Sequence, residues 1–488
     1  MRYINKHYKS CLLLIFVNVI FLSQIANAYL PPKYGGTLTV TIPEKIYKYD
    51  PSVAVQNHEL MIIDSVFDTL IKPGMIDGFV PVLLETLPVA SDDRMTYYFK
   101  LREDIKFHDG SQLDSNDVLY TFKQLAASKR SPYVWIISEI EGMQEFRSGA
   151  ARTIEGLKIV DAFRFEIHLR RAQPEFLKYL CFPALSVLPS IDQNFDSPVG
   201  SGPFRFIERN SKGEVIFAAN ESYFNGRPYL GKIVFKTIAN EHDRITEFKR
   251  KMIDVTELPS AGIAKSDQSS FDKRLYCKTK RMYFVDINPS YEATRKLESR
   301  KEIASSIDRE SIVKIILRGN GVIEGNEDGS INNSVKLTLK EDFEEKEIWY
   351  SEENPALKLI SERIKIDLAE IGIVTTTSPH TTRGLLQYPV DNAPCFILRS
   401  LPVLLGLNES VYEPLFNSEY RSQMSSIAVR IEKADNDGES AVNSSIVQLY
   451  SSTPSYLFQS SVFGIKEGAY GNPDFEEVFI RAESEKEQ

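Results

Sequence analysis

The sequence of 488 residues lacks the short motifs that mark the common classes of enzyme. No G-x-S-x-G nucleophile elbow occurs, because Ser201 has glycine on both immediate sides, which is the wrong spacing. No H-E-x-x-H pair and no Walker A loop occur, so any ATP hydrolysis has to take place on another polypeptide. The sequence therefore predicts a protein that is not an enzyme and carries no cofactor.

Cysteine and histidine are scarce. Only four cysteines occur, without a C-x-x-C pair, and the six histidines are scattered along the chain. This composition disfavours a metal site. Cys181, Cys277 and Cys395 leave two alternatives open: one disulfide with one free thiol, or three buried and unpaired cysteines.

The chain also has no excess of positive charge. Against 58 lysines and arginines stand 67 aspartates and glutamates, so the formal net charge is −9. An acidic surface disfavours nucleic acid as a partner and disfavours a basic membrane-binding patch. No nucleic-acid partner is therefore expected.

A long hydrophobic run occurs only near the N-terminus. Arg2, Lys6 and Lys9 precede or border an apolar stretch at residues 11–22, and Ala26-Asn27-Ala28 matches an A-x-A cleavage site. A membrane-spanning helix would need about 20 apolar residues. Residues 1–28 are therefore predicted to be a cleaved signal peptide, and the mature protein is expected in the periplasm.

The remaining chain alternates short strands and helices. Period-two alternation of polar and apolar residues predicts strands at residues 37–42, 97–101 and 164–169. Asn354 followed by Pro355 predicts the start of a long amphipathic helix, and Gly372 fits its C-terminal cap. The length after the signal peptide, about 460 residues, implies two domains or more.

Residues 101–125 combine a strand, a tight turn and a capped helix. Glycine in the His108-Asp109-Gly110 turn accepts the positive φ of a tight reversal. Asp114 or Ser115 is predicted to cap the following helix. Taken alone, these features fit a surface strand-turn-helix in any α/β protein.

As a pattern, residues 101–125 resemble a signature of the family 5 extracellular solute-binding proteins. Two further segments occur in the order that this family has. Residues 199–204 resemble its G-[ST]-G-P-[FY] element, with an N-x-x-Y-[WF]-x-G-x-P turn at residues 220–228, and residues 300–319 resemble its R-x-A-[IL]-x-x-[AS]-I-D-R-x-x-I helix pair. The resemblance covers residues 35–319. We call residues 101–125, 199–228 and 300–319 the signature segments.

The resemblance implies an α/β, two-lobed periplasmic binding protein fold of class II type, with a ligand cleft between the lobes and an extra subdomain in the first lobe. The implied first lobe is 29–287, with 455–488 returning to it, and the second lobe is 288–454. The implied function is capture of a small solute, peptide by default, and its delivery to an inner-membrane ABC permease by a monomeric protein.

Three alternatives to peptide transport stay open. One is a family member that has lost transport and acts as a periplasmic chaperone or interaction protein. Another is a nickel or metallophore binder, although only five histidines remain after the predicted cleavage. The third is a periplasmic hydrolase on an unfamiliar fold, which would have a carboxylate or serine-histidine constellation in one cleft.

The resemblance also implies candidate ligand-binding residues. A loop after the first strand lines the cleft in the family, which corresponds to Gln56, Asn57, His58 and Glu59. Asn57 or His58 is expected to donate to a ligand carbonyl, unless the four residues only cap the next helix. Asn288 near the crossing between lobes is a further candidate.

The second lobe departs from the family pattern. Peptide-binding members carry a W-x-x-D-x-x-D-P element whose first aspartate pairs with the ligand's α-amino group, and Leu404 stands at that position here. Burying an ammonium without a carboxylate costs several kcal/mol. Glu59 or Glu409 is a candidate substitute, and Arg399 is a candidate partner for an anionic group.

Overall fold

The computed structural model describes residues 32–481 with several gaps. The gaps are 75–77, 192, 259–272, 289–290, 324–345, 353, 382–384, 386–393 and 403–445. Across the described ranges, no helix has both the length and the apolar character needed to span a membrane. The predicted signal peptide lies outside the described residues.

The first lobe is built on a seven-stranded mixed sheet, the first sheet. Its central strand, Thr37–Ile42, pairs in parallel with Lys232–Thr237 on one side and with Val255–Glu257 on the other. Leu38, Val40 and Ile42 are buried, as the period-two pattern predicts for one face of a strand. The strands of the first sheet, in spatial order, are Lys273–Tyr276, Ser455–Phe458, Val255–Glu257, Thr37–Ile42, Lys232–Thr237, Val215–Ala219 and Phe204–Arg209.

The second lobe is built on a five-stranded sheet, the second sheet, with a separate core. The helix Pro355–Glu370 packs against it, and the Asn354 side chain accepts from the N–H of Ala356, so the predicted N-cap is confirmed. In spatial order the strands are Thr375–His380, Lys346–Ser351, Phe396–Pro402, Arg281–Ile287 and Ile446–Ser452.

A four-stranded antiparallel sheet forms the extra subdomain of the first lobe. It consists of Val89–Ala90, Thr96–Lys100, Arg164–His168 and Leu157–Ile159, in that order. The predicted cap of its neighbouring helix is confirmed, because Asp114 accepts from the N–H of Asn116.

The remaining elements are short strand pairs and helices. The pairs are Ile71–Pro73 with Phe79–Pro81, Val462–Phe463 with Phe479–Ile480, and Lys466–Glu467 with Pro473–Asp474. The α-helices within the described residues are Asn57–Val66, Ser115–Ala127, Met143–Ser148, Phe176–Tyr179, Glu241–Lys249, Glu292–Arg295, Leu297–Ser306, Arg309–Ser311 and Pro355–Glu370. Short 3₁₀ turns lie at Val134–Ile137 and Pro183–Leu185, and a π-helical turn lies at Ile312–Ile316.

The chain crosses between the two sheets at residues 277–280 and again at residues 453–454. The crossings run side by side, because Tyr276 pairs with Ser455 in the first sheet and Arg281 pairs with Ser452 in the second. Strand Arg281–Ile287 therefore belongs to the second sheet. The sheets divide the chain at residues 277–280, ahead of the lobe boundary placed at residue 287 from the sequence.

All three cysteines in the described ranges are free and buried. This arrangement corresponds to the second of the two alternatives that the sequence left open. Burial raises the pKa of the Cys181 and Cys277 thiols well above the usual value, which keeps both thiols protonated.

Parts of the signature segments meet around Asp68, which follows the helix Asn57–Val66. The Asp68 carboxylate is fully buried and accepts from the Ser201 hydroxyl at 3.1 Å and the Tyr223 hydroxyl at 3.3 Å. Burial raises the pKa of Asp68 to about 6. Glycine is required at positions 200 and 202, because a Cβ there would lie 2.1 Å and 2.7 Å from the Val66 carbonyl oxygen. Residues 199–228 therefore pack tightly against the end of the helix Asn57–Val66 within the first lobe.

His108 completes this junction. Its Nδ1 accepts from the N–H of Gly200 at 3.2 Å, so Nε2 carries the proton and donates to the Gly202 carbonyl at 2.9 Å. Burial is the main cause that lowers the pKa of His108 from 6.5 to about 4. The folded protein thus holds a neutral imidazole that links two loops.

We predict that His108→Gln removes part of the pH dependence of stability. Between pH 4 and 6.5 the unfolded state binds more protons at His108 than the folded state, so this residue makes stability rise with pH. The unfolding free energy of wild type minus that of the variant should rise by about 3 kcal/mol from pH 4 to pH 7. Urea denaturation at several pH values measures it.

The control is His242→Gln, which removes an exposed imidazole. It should retain the wild-type pH profile. A constant difference between wild type and His108→Gln at every pH would contradict the buried, neutral imidazole.

Candidate functional site

A cavity of about 220 Å³ lies where the two sheets meet. The first lobe contributes the loop and helix start at residues 56–58, the helix start at Glu241 and the strand ends at Glu257 and Tyr276. The second lobe contributes Arg281, Tyr283, Asn320 and the start of the helix Pro355–Glu370, at residues 354–355. The second crossing and the strand ends beside it, residues 452–455, form another part of the wall.

The helix Asn57–Val66 points its N-terminus at this cavity. Glu59 fixes that helix start, because its Oε2 accepts from the N–H groups of Val55 at 3.0 Å and Gln56 at 3.1 Å. Such capping contributes about 1 kcal/mol. Glu59 is buried and does not line the cavity, whereas Gln56 does. Glu59 therefore has the capping role that was the alternative to ligand contact for this loop.

Asn57 and His58 line the cavity and bond to other carboxylates. Nδ2 of Asn57 donates to Oε1 of Glu257 at 3.3 Å, and Nε2 of His58 lies 3.1 Å from Oε1 of Glu44. Both side chains are buried, with 9% and 5% of their surface exposed. Asn57 therefore connects the helix start to the first sheet.

Arg281 ties the two lobes together beside the cavity. It is 5% exposed, and its guanidinium donates to the Val55 carbonyl in the first lobe and to the Ser400 hydroxyl in the second sheet, the latter at 3.1 Å. A buried guanidinium is stabilised by such carbonyl and hydroxyl acceptors. Its charge is held in place by contacts on both sides of the crossing.

Tyr283, in the wall formed by the second lobe, stacks on Tyr450 behind it. Tyr283 and Tyr450 have ring centroids 4.4 Å apart and an interplanar angle of 11°. Burial raises the pKa of both hydroxyls, which keeps them protonated. The Tyr283 hydroxyl hydrogen-bonds to the side chains of Ser452 and Asn354, which also line the cavity.

The described lining carries three arginines and two glutamates. Arg244 donates to the carbonyls of Ile238 and Ala239 at 2.9 and 3.0 Å and lies 3.9 Å from Glu241. Arg274 donates to the Tyr276 hydroxyl at 3.2 Å. The cavity is therefore charged and polar, and it presents groups of both signs.

The structure separates the other candidates from this cavity. Asn288 follows strand Arg281–Ile287 and its N–H donates to the Cys395 carbonyl at 2.8 Å. Nε of Arg399 lies 2.9 Å from Oδ2 of Asp286 on the neighbouring strand, an ion pair without hydrogen-bond geometry. Neither Asn288 nor Arg399 is in the described lining. Leu404 and Glu409 lie outside the described residues.

No pattern in the sequence predicts Glu257 or Arg281 as site residues. Glu257 ends a three-residue strand, and no local pattern distinguishes it from the other acidic residues of the chain. Arg281 begins a strand whose other residues are mainly apolar. Within the described residues no group of three or more His, Cys, Asp or Glu could hold a metal ion.

Arg281→Met should destabilise the junction between the lobes. Methionine keeps an apolar stem but leaves the Val55 carbonyl without its donor, so we expect the free energy of unfolding to fall by about 2 kcal/mol. Urea unfolding followed by tryptophan fluorescence and far-UV circular dichroism measures the loss.

Arg399→Met is the matched control, because that side chain is about one-third exposed in a cross-strand ion pair. It should cost less than about 1 kcal/mol. Equal losses in both variants would mean that the Arg281 contacts do not hold the lobes together.

Comparison with known proteins identifies relatives of the chain. A family model described as bacterial extracellular solute-binding proteins, family 5 Middle, matches residues 78–326. The oligopeptide-binding protein AppA of Bacillus subtilis is 24% identical over 237 residues, which is 48% of this chain and 42% of that protein. The chain thus matches less than half of the length of that relative.

Solved structures share the fold over nearly the whole chain. The Escherichia coli murein tripeptide binding protein MppA superposes with a TM-score of 0.74 at 16% identity, covering 92% of this chain and 99% of that one. NikZ from Campylobacter jejuni, in complex with Ni(L-His), gives a TM-score of 0.67 at 17% identity, covering 89% and 97%. At such identities the likeness concerns the fold alone, and that fold is the two-lobed α/β arrangement predicted from the sequence.

Proposed function

Because the chain belongs to family 5 of the bacterial extracellular solute-binding proteins, we propose that it captures a small solute in the cavity between its lobes. The observation that carries the proposal is that both lobes and the second crossing contribute to one cavity. Two short connections allow rigid lobes to close around a ligand by a hinge motion. The solute leaves unchanged, and an ABC permease in the inner membrane receives it.

Peptide is the proposed class of solute. AppA and MppA are named for oligopeptide and murein tripeptide binding. In this chain, strand Lys273–Tyr276 lies at an edge of the first sheet, and its Arg274 and Tyr276 line the cavity. An extended peptide backbone pairs well with such an edge, which gives affinity with little side-chain selectivity.

We propose that the mature protein acts in the periplasm as a monomer, after removal of residues 1–28. Binding of nickel or a metallophore is the second candidate, since NikZ was solved with Ni(L-His) and His58 lies in the cavity. Asn57 and His58 are proposed to contact the solute directly, and Gln56 to border it. Asn288 and Arg399 stay predictions that need the closed, solute-bound form.

Native mass spectrometry of protein purified from its own periplasm tests the proposal. We expect a bound peptide that denaturation releases. Asn320→Trp, which places an indole at an exposed position of the lining, should abolish this bound mass. Ile315→Trp changes an exposed residue of the same segment outside the lining and should leave the bound mass in place.

The outcomes discriminate between the candidates. Release of a nickel complex would replace peptide by the second candidate. Solute capture would be contradicted if wild-type protein carries no bound solute and takes none up from a periplasmic extract. That result would favour the interaction protein that has lost transport.

A further inference from the structure

Glu257 is a cavity carboxylate that no cation pairs within the described ranges of the chain. It ends strand Val255–Glu257 in the interior of the first sheet, is partly buried and lines the cavity. In the described part of the chain, the side chain that hydrogen-bonds its carboxylate is the neutral amide of Asn57. A carboxylate offers about four acceptor positions, so most of its capacity stays unused.

The arginines of the cavity do not neutralise Glu257. Arg244 bonds to two backbone carbonyls, Arg274 to a tyrosine hydroxyl, and Arg281 to a carbonyl and a serine. No ion pair within 4.0 Å joins Glu257 to an arginine among the described residues. The other cavity carboxylate, Glu241, differs because it lies 3.9 Å from Arg244.

Two tyrosine hydroxyls lie close to Glu257. The carboxylate lies close enough to Tyr283 and Tyr456 to contribute to the raised pKa of both hydroxyls, after burial. Both phenols are therefore protonated at neutral pH. Arg281 acts on the same two hydroxyls, but its guanidinium bonds to Val55 and Ser400 and not to Glu257. A partly buried carboxylate that no cation pairs within the described residues attracts a cation strongly once closure removes water.

We propose that Glu257 receives the cationic group of the solute, an ammonium such as the N-terminus of a peptide. This inference rests on the proposed function and names the residue that selects the solute. The ammonium donates to Glu257, which belongs to the first lobe. The acid that pairs with the ligand's ammonium in peptide-binding members of the family belongs to the second lobe, and Leu404 stands at its position here. Asn57 holds the carboxylate in place for this contact.

Binding calorimetry with trialanine and N-acetyl-trialanine tests the inference, because acetylation removes only the ammonium. Wild type should bind trialanine at least about tenfold more tightly than the acetylated probe. Glu257→Gln keeps the shape and the contact with Asn57 but lacks the charge. It should bind both probes equally, at the affinity of wild type for the acetylated one.

Glu247→Gln is the matched control, since this carboxylate bonds to Lys236 at 2.6 Å and lies outside the lining. It should keep the preference of wild type for the free amine. Circular dichroism of each variant checks that it is folded.

Two results would overturn the inference while solute capture stands. One is a preference for the free amine that survives in Glu257→Gln. The other is a co-purified solute without any cationic group. Wild-type protein that binds neither probe and co-purifies with no solute would overturn both the inference and the proposed function.

Discussion

The two adjacent crossings between the sheets are the constraint on which the arrangement of the cavity depends. Residues 277–280 and 453–454 leave one sheet and enter the other side by side, with Tyr276 opposite Ser455 and Arg281 opposite Ser452. Each lobe has its own hydrophobic core, so relative motion of the lobes is confined to these connections. Arg281 adds a buried polar link across them.

Two of the signature segments, residues 101–125 and 199–228, serve the fold of the first lobe, whereas residues 300–319 belong to the core of the second lobe. Asp68, Ser201 and Tyr223 meet in one buried hydrogen-bonded group, and His108 joins the loop at Gly200 to the same place. Buried polar groups of this kind need every partner in position, because an unsatisfied one costs about 1–3 kcal/mol. Such residues identify the architecture, whereas the identity of the solute depends on other side chains that line the cavity.

The sequence predicted local elements well and the site incompletely. The caps at Asp114 and Asn354 and the strand Thr37–Ile42 follow from short-range chemistry and period-two burial. The resemblance to the family places loop residues 56–58 near a cleft, and in the structure these residues line the cavity. The lobe boundary at residue 287 places strand Arg281–Ile287 in the first lobe, whereas its partners belong to the second sheet. The sequence of the strand does not show which sheet provides its partners.

The family, and through it the two-lobed fold, is recognisable from motif order along the chain, and the helix starts at Asp114 and Asn354 follow from local capping chemistry. Which charged groups share the cavity is set by the packing of the two sheets. Asn57 meets Glu257 across 200 residues of chain, and Arg281 meets Val55 across 226. Such contacts are set by how the sheets pack and by which carboxylates already have partners, and no local pattern records either.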